Sequence, residues 1–125
     1  KGAFVGVYLT DDQGTFQRSL YLAWKDSPKD KKYRRKLRGW TRGVNSIGGQ
    51  IDGLTGPSLG SKKTLRFSAE ISAQEAAAGY QIHVDTAAED SGAATSDAMI
   101  ALNDATAFAQ TAEGKRFIKT LSVSR

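Results

Sequence analysis

Cysteine is absent from the 125 residues, and histidine occurs once, at His83. Without thiols the chain forms no disulfide, no zinc–thiolate or iron–sulfur site and no thiolate nucleophile. A lone imidazole leaves too few soft ligands for a typical zinc or copper site, and it restricts any Ser-His-Asp triad to His83 as the base. No apolar run approaches the roughly 20 residues that a membrane-spanning helix needs. No P-loop and no dinucleotide-binding glycine fingerprint occurs. The acids Glu89, Asp90 and Asp97 lack the spacing of an EF-hand calcium loop.

Apolar residues make up 39 % of the chain and charged residues 25 %. That balance supports a packed core and excludes a wholly disordered chain. The length suits one domain, expected over residues 1–125. The net charge of +5 is unevenly spread: residues 25–42 hold nine basic residues and two acids, a local charge of +7. The remainder is slightly acidic, so the basicity is a patch and not a property of the whole surface.

Period-two alternation predicts a β-hairpin over residues 3–10 and 15–24, turned by Asp11-Asp12-Gln13-Gly14. Val5, Val7 and Leu9 share one face of its first strand. Phe16, Leu20, Leu22 and Trp24 are expected to share one face of the second, with Arg18 the exception. Tyr33, Leu37 and Trp40 then recur at helical spacing in a basic segment. Pro28 before it and Gly39 or Gly43 near its end predict a short helix over residues 29–42. Glycines make residues 43–62 a long loop, a length that is often functional. Further strands are expected at residues 64–68, 80–86, 98–102 and 117–123, with a helical turn within 72–79. Short strands separated by turns favour an antiparallel sandwich over an α/β fold.

Four pieces in this order carry a family resemblance: Leu20-Tyr21-Leu22-Ala23-Trp24, the basic Tyr33-to-Trp40 segment, the Asp52-to-Ser58 loop, and Gly79-Tyr80-Gln81-Ile82-His83-Val84. The chain resembles a group of predicted periplasmic proteins catalogued as domain of unknown function twenty-two seventy-one. The resemblance spans most of residues 3–123. It implies an all-β, immunoglobulin-like antiparallel β-sandwich with one short helix inserted after the first hairpin. It also implies export to the periplasm, and genes that sit near flavin transferases and membrane proteins of periplasmic electron transfer.

Three candidate sites follow. Asp52-Gly53-Leu54-Thr55-Gly56-Pro57-Ser58 is similar to the acceptor sequence for covalent flavin attachment. Asp52, Thr55 and the Ser58 nucleophile are in place, and Pro57 stands where that sequence has a small residue. The alternative is a turn in which Asp52 and Thr55 bond local amides. The basic segment offers Arg34, Arg35, Arg38 and Arg42 to an acidic protein, a membrane-associated redox protein or an anionic membrane surface. Nucleic acid is a weaker alternative, because Tyr33 and Trp40 lie on the stripe expected to face the core. His83 and Asp85 share a strand face and could relay a proton. The expectation is a non-catalytic accessory or binding module of periplasmic redox systems, with no metal and no bound cofactor unless Ser58 carries FMN.

Overall fold

The computed structural model describes residues 3–23, 36–49, 53–56, 63–88, 92–103 and 109–124. Strands β1 (Ala3–Thr10) and β2 (Phe16–Ala23) form the expected hairpin. Helix α1 (Arg38–Ser46) and a short strand β3 (Leu54–Gly56) follow. Helix α2 (Ala73–Ala77) precedes β4 (Gln81–Ala88) and β5 (Gly92–Ala101), and β6 (Ala109–Glu113) and β7 (Thr120–Ser124) close the chain. One sheet has the order β3-β2-β1-β4-β5 and the other pairs β6 with β7. The described residues are thus mostly β, with two sheets and little helix.

Both faces of the five-stranded sheet are covered. Val5, Val7, Leu9, Ile82, Val84, Ala98 and Ile100 form the core on one side, against which Ile118, Leu121 and Val123 pack. On the other side Phe4, Tyr8, Leu22 and Ala87 pack with Leu37, Trp40 and Val44 from α1 and the residue before it. Alternation along β1 and β4 assigns these faces directly, because successive side chains of a strand point opposite ways.

Alternation fails along β2. Val7 pairs with Tyr21 and Tyr8 with Ser19, which leaves Leu20 as an extra residue; Leu9 pairs with Arg18 and Thr10 with Phe16, which leaves Gln17 as another. Each bulge flips the parity of the strand. Leu20 and Leu22 therefore enter opposite cores, not one shared face. Arg18 is no exception either: it lies on the Leu9 side and reaches Glu75 of α2.

Four further expectations are corrected. The described helix spans Arg38–Ser46, past the expected end at residue 42, and Gly39 and Gly43 lie inside it. Residues 29–35 are outside the described residues. Strand β3 runs parallel to β2, so the sheet is not purely antiparallel. A parallel neighbour needs a long crossover, and the chain between Ala23 and Leu54, with α1 in it, supplies one. Residues 64–68 form no strand. Leu65 and Phe67 still pack on the core, so their alternation records burial without a ladder. Among the described residues there is also a second helix, since the turn expected within 72–79 is α2.

Helix α2 starts at a capping box: the Ser72 hydroxyl accepts from the Glu75 amide, and the Glu75 carboxylate accepts from the Ser72 amide at 2.9 Å. The same carboxylate takes two guanidinium bonds from Arg18, at 2.7 and 3.1 Å. The Arg18 bonds hold the Glu75 carboxyl down at about 2, against an ordinary value of 4.5. A group depressed in this way contributes stability that is full above its unfolded value and is lost as pH falls through the folded one. Glu75→Gln is therefore expected to cost about 1 kcal/mol at neutral pH. Urea unfolding should show that gap closing between pH 4.5 and about 2; a gap that stays constant with pH would refute the assignment.

Candidate functional site

Helix α1 begins without a capping side chain of its own, because Leu37 stands at its N-cap. The first four amides of a helix have no partner within it. One of them, that of Trp40, donates to the Asp85 carboxylate of β4 at 2.8 Å. Asp85 is fully buried. Its other oxygen accepts from the Tyr8 hydroxyl at 3.0 Å and from the Ser96 amide at 2.8 Å. A carboxylate at this end of the helix also complements the macrodipole. Asp85 thus caps, across the sheet, a helix whose first turn contains no acid.

Three glycines set how closely α1 lies on the sheet. A β-carbon at Gly39 would overlap the Tyr8 hydroxyl and come within 2.9 Å of the Asp85 carboxylate, and one at Gly43 would overlap the Phe16 ring. One at Gly6 on β1 would stand 2.9 Å from the Trp40 ring. Trp40 fills the space that Gly6 leaves and donates its indole N–H to the Ser19 hydroxyl at 2.9 Å. Gly39 and Gly43 are one turn apart, so the spacing that suggested a helix end marks its contact face.

A polar row lies beside this contact. The His83 ring stacks on Tyr8, with centroids 5.2 Å apart and planes 7° from parallel. Its Nδ1 is 2.9 Å from the Ser96 hydroxyl, and its Nε2 is 2.9 Å from Gln81 Oε1 and 3.2 Å from the Thr10 hydroxyl. Ser96 sits at a positive φ of 48° in an irregular stretch of β5. Burial pushes the His83 pKa below its ordinary 6.5, and the Asp85 charge partly opposes that. Burial, then the Asp85 charge, raise the Tyr8 hydroxyl well above its ordinary value, while Ser96 and Arg42 act the other way. His83 and Asp85 share a face, as their spacing requires, but they meet only through Ser96, whose amide donates to Asp85 and whose hydroxyl faces the imidazole. Asp85 makes no direct bond to the imidazole, whose nitrogens face Ser96, Gln81 and Thr10, so the geometry is that of a helix anchor and a neighbouring polar cluster, not of a His–Asp dyad.

The second buried carboxylate, Asp97, faces the other core. It accepts from the Thr86 hydroxyl at 2.7 Å and from four successive backbone amides, Lys115 to Ile118, at 2.7 to 3.1 Å. Burial works against its ionisation, but these donors overcome it and hold the carboxyl below its ordinary range. In the sequence, Asp97 is legible only as a loop carboxylate without calcium-loop spacing. Among the described residues, no group of three or more His, Cys, Asp or Glu is placed to hold a metal.

Of the flavin-acceptor residues, Thr55 is exposed in the middle of β3, the edge strand beside β2. Asp52 and Ser58 lie outside the described residues. Gly53 has a φ of +95°, and a β-carbon there would stand 2.5 Å from the Ser19 carbonyl. Gly56 likewise abuts the Tyr21 hydroxyl. Both motif glycines are therefore required by close packing on β2, whatever happens at Ser58. Gly56-Pro57-Ser58-Leu59-Gly60 also spells the Gly-x-Ser-x-Gly pattern of a nucleophile elbow, which sequence reading passed over. That motif needs a helix directly after the serine, and residues 57–60 lie outside the described residues. Of the basic candidates, Arg38 and Arg42 are exposed one turn apart on α1. Arg34 and Arg35 lie outside the described residues.

Among the described residues no helix is long and apolar enough to cross a membrane. Residues 1–120 match a protein family described as "Predicted periplasmic protein (DUF2271)". No curated protein and no solved structure matches the chain.

Proposed function

This chain belongs to the DUF2271 family of predicted periplasmic proteins, and we propose that it is a non-catalytic binding module that docks through its basic segment. The observation that carries this reading is the placement of Arg38 and Arg42 on the outside of a helix pinned by Asp85. A charged helix held in one pose loses little conformational freedom when it binds, and that favours docking. The partner is an anionic surface of a periplasmic redox system, in keeping with the flavin-linked setting the sequence suggests. The immunoglobulin-like form of the sandwich belongs to the same proposal. The hairpins with apolar alternation support it, and an experimental structure with the two sheets aligned near −30° would test it.

The docking test is replacement of Arg34, Arg35 and Arg38 by glutamine. A periplasmic partner captured by the parent protein should be lost, and a capture that survives all three replacements would overturn the reading. His83→Ala should leave that capture intact, because the imidazole is engaged by Ser96, Gln81 and Thr10.

A second reading is a covalent FMN carrier modified at Ser58. It is favoured by Thr55, exposed on an edge strand three residues before Ser58. In it, the Ser58 hydroxyl forms the phosphoester to FMN while the phosphoanhydride of a flavin dinucleotide breaks and the nucleotide leaves. The protein would then supply position and electrostatics to the flavin. Intact mass after co-expression with a flavin transferase decides it: a gain of one FMN that disappears in Ser58→Ala supports the carrier, and an unchanged mass removes it. Nucleic-acid binding is a weaker alternative, to be recognised by affinity that falls steeply with salt.

A further inference from the structure

The helix side of the five-stranded sheet carries more than arginine. Among the described residues the exposed large hydrophobics are Ile47 and Met99, at 37 % and 41 %. Met99 pairs with His83 across β4 and β5, opposite in direction to Ala98 and Ile100, which enter the other core. It therefore lies on the α1 side. Ile47 directly follows α1, in a turn completed by Gly48 and Gly49. Both glycines have positive φ, and a β-carbon at either would meet nothing within 4 Å, so this turn projects into open space. The Gly49 amide closes it on the Val44 carbonyl at 2.8 Å.

The strand edges make poorer docking sites. β3 is three residues long. Along β5 the outer carbonyls of Asp97 and Ala101 already accept bonds from the Lys115 amide and the Gln110 side chain. Covering an edge in this way blocks pairing with another strand. A second copy is also disfavoured on the helix side, where the exposed Arg38 and Arg42 of the two copies would face each other.

We infer that the helix side rests on an anionic phospholipid bilayer, with Arg38 and Arg42 at the headgroups and Ile47 entering the interface. This rests on the docking reading above and names its partner. Periplasmic proteins face membrane surfaces, and basic side chains beside an exposed apolar tip are the two elements of interfacial attachment. Asp11 and Asp12 are the acids of the β1–β2 turn. Asp11 turns its carboxylate inward, to the amides of Gln13 and Thr15.

Co-sedimentation with vesicles tests this, using phosphatidylcholine alone or mixed equally with phosphatidylglycerol. Binding is expected only to the mixed vesicles. Arg38→Gln and Arg42→Gln should each weaken it about fivefold, and Ile47→Ser about tenfold. Urea unfolding of each variant confirms that the fold is retained. Binding that Ile47→Ser leaves unchanged overturns the apolar anchor. No binding to mixed vesicles overturns the bilayer altogether. A polyglutamate column then separates the two levels of the argument. Retention that Arg38→Gln and Arg42→Gln reduce would keep docking, with an acidic protein as partner, whereas no retention would remove docking as well.

Discussion

Replacing Asp97 with asparagine is expected to remove about 3–5 kcal/mol of folding stability, a large share of what a domain of this size possesses. The side chain is fully buried. Its Oδ1 accepts from the Lys115 and Arg116 amides, and its Oδ2 from Thr86, Phe117 and Ile118. Asparagine has nearly the same shape, but whichever oxygen becomes an amide nitrogen then faces at least two donors. Those donors lose their acceptor in the interior, away from water, and bonds to a carboxylate are the stronger kind. Thr86→Val removes one donor only, and about 1 kcal/mol should be lost. The four amides belong to the turn between β6 and β7, so the damage should centre on that hairpin and on its packing over the core. Urea midpoints of the parent and both variants measure the effect. An Asp97→Asn loss no greater than that of Thr86→Val would show that the amide cluster is not a strong anchor. Because the Asp97 carboxyl is held below its ordinary range, its contribution is present above the unfolded value and lost as pH falls through the folded one. The gap between parent and variant should therefore narrow in acid and not in base.

Asp85→Ala is the second large effect, expected at about 3–4 kcal/mol. It strips the acceptor from the buried Tyr8 hydroxyl, from the Trp40 amide at the start of α1 and from the Ser96 amide. Loss of a cap alone costs about 1 kcal/mol; the remainder comes from the stranded hydroxyl and the Ser96 amide. Tyr8→Phe deletes one bond and leaves the cap, so about 1 kcal/mol is expected. The two variants should differ in a second way. Trp40 is 2 % exposed and held by Ser19 and by the space at Gly6. If Asp85 fixes the helix, its loss should red-shift the tryptophan emission and weaken vesicle binding, while Tyr8→Phe moves neither. An Asp85→Ala variant with parental emission and stability would mean that the glycine contacts alone hold α1.

The acids of this protein were visible in the sequence, yet their roles were not. Asp85 read as a partner for His83 because residues two apart on a strand share a face, and they do share it. What the spacing could not contain is that α1 arrives over that face with an uncapped end. Asp97 looked like a loop carboxylate because its donors lie 18 to 21 residues further along the chain. Gly39 and Gly43 looked like stop signals, although glycines four apart also suit a helix pressed flat on a neighbour. The capping box at Ser72 and Glu75 was a local signal open to detection beforehand, since both partners fall within one turn.

By itself the sequence determined the first hairpin, the two-faced character of β1 and β4, the mostly β class, the local charge of residues 25–42 and the periplasmic family. All of these depend on residues near one another or on composition. The bulges at Gln17 and Leu20, the parallel placement of β3, the course of α1 and the burial of Asp85 and Asp97 were decided only when distant segments met. Each depends on a partner that supplies a register, a donor or an excluded volume from elsewhere in the chain, and such partners leave no periodic trace.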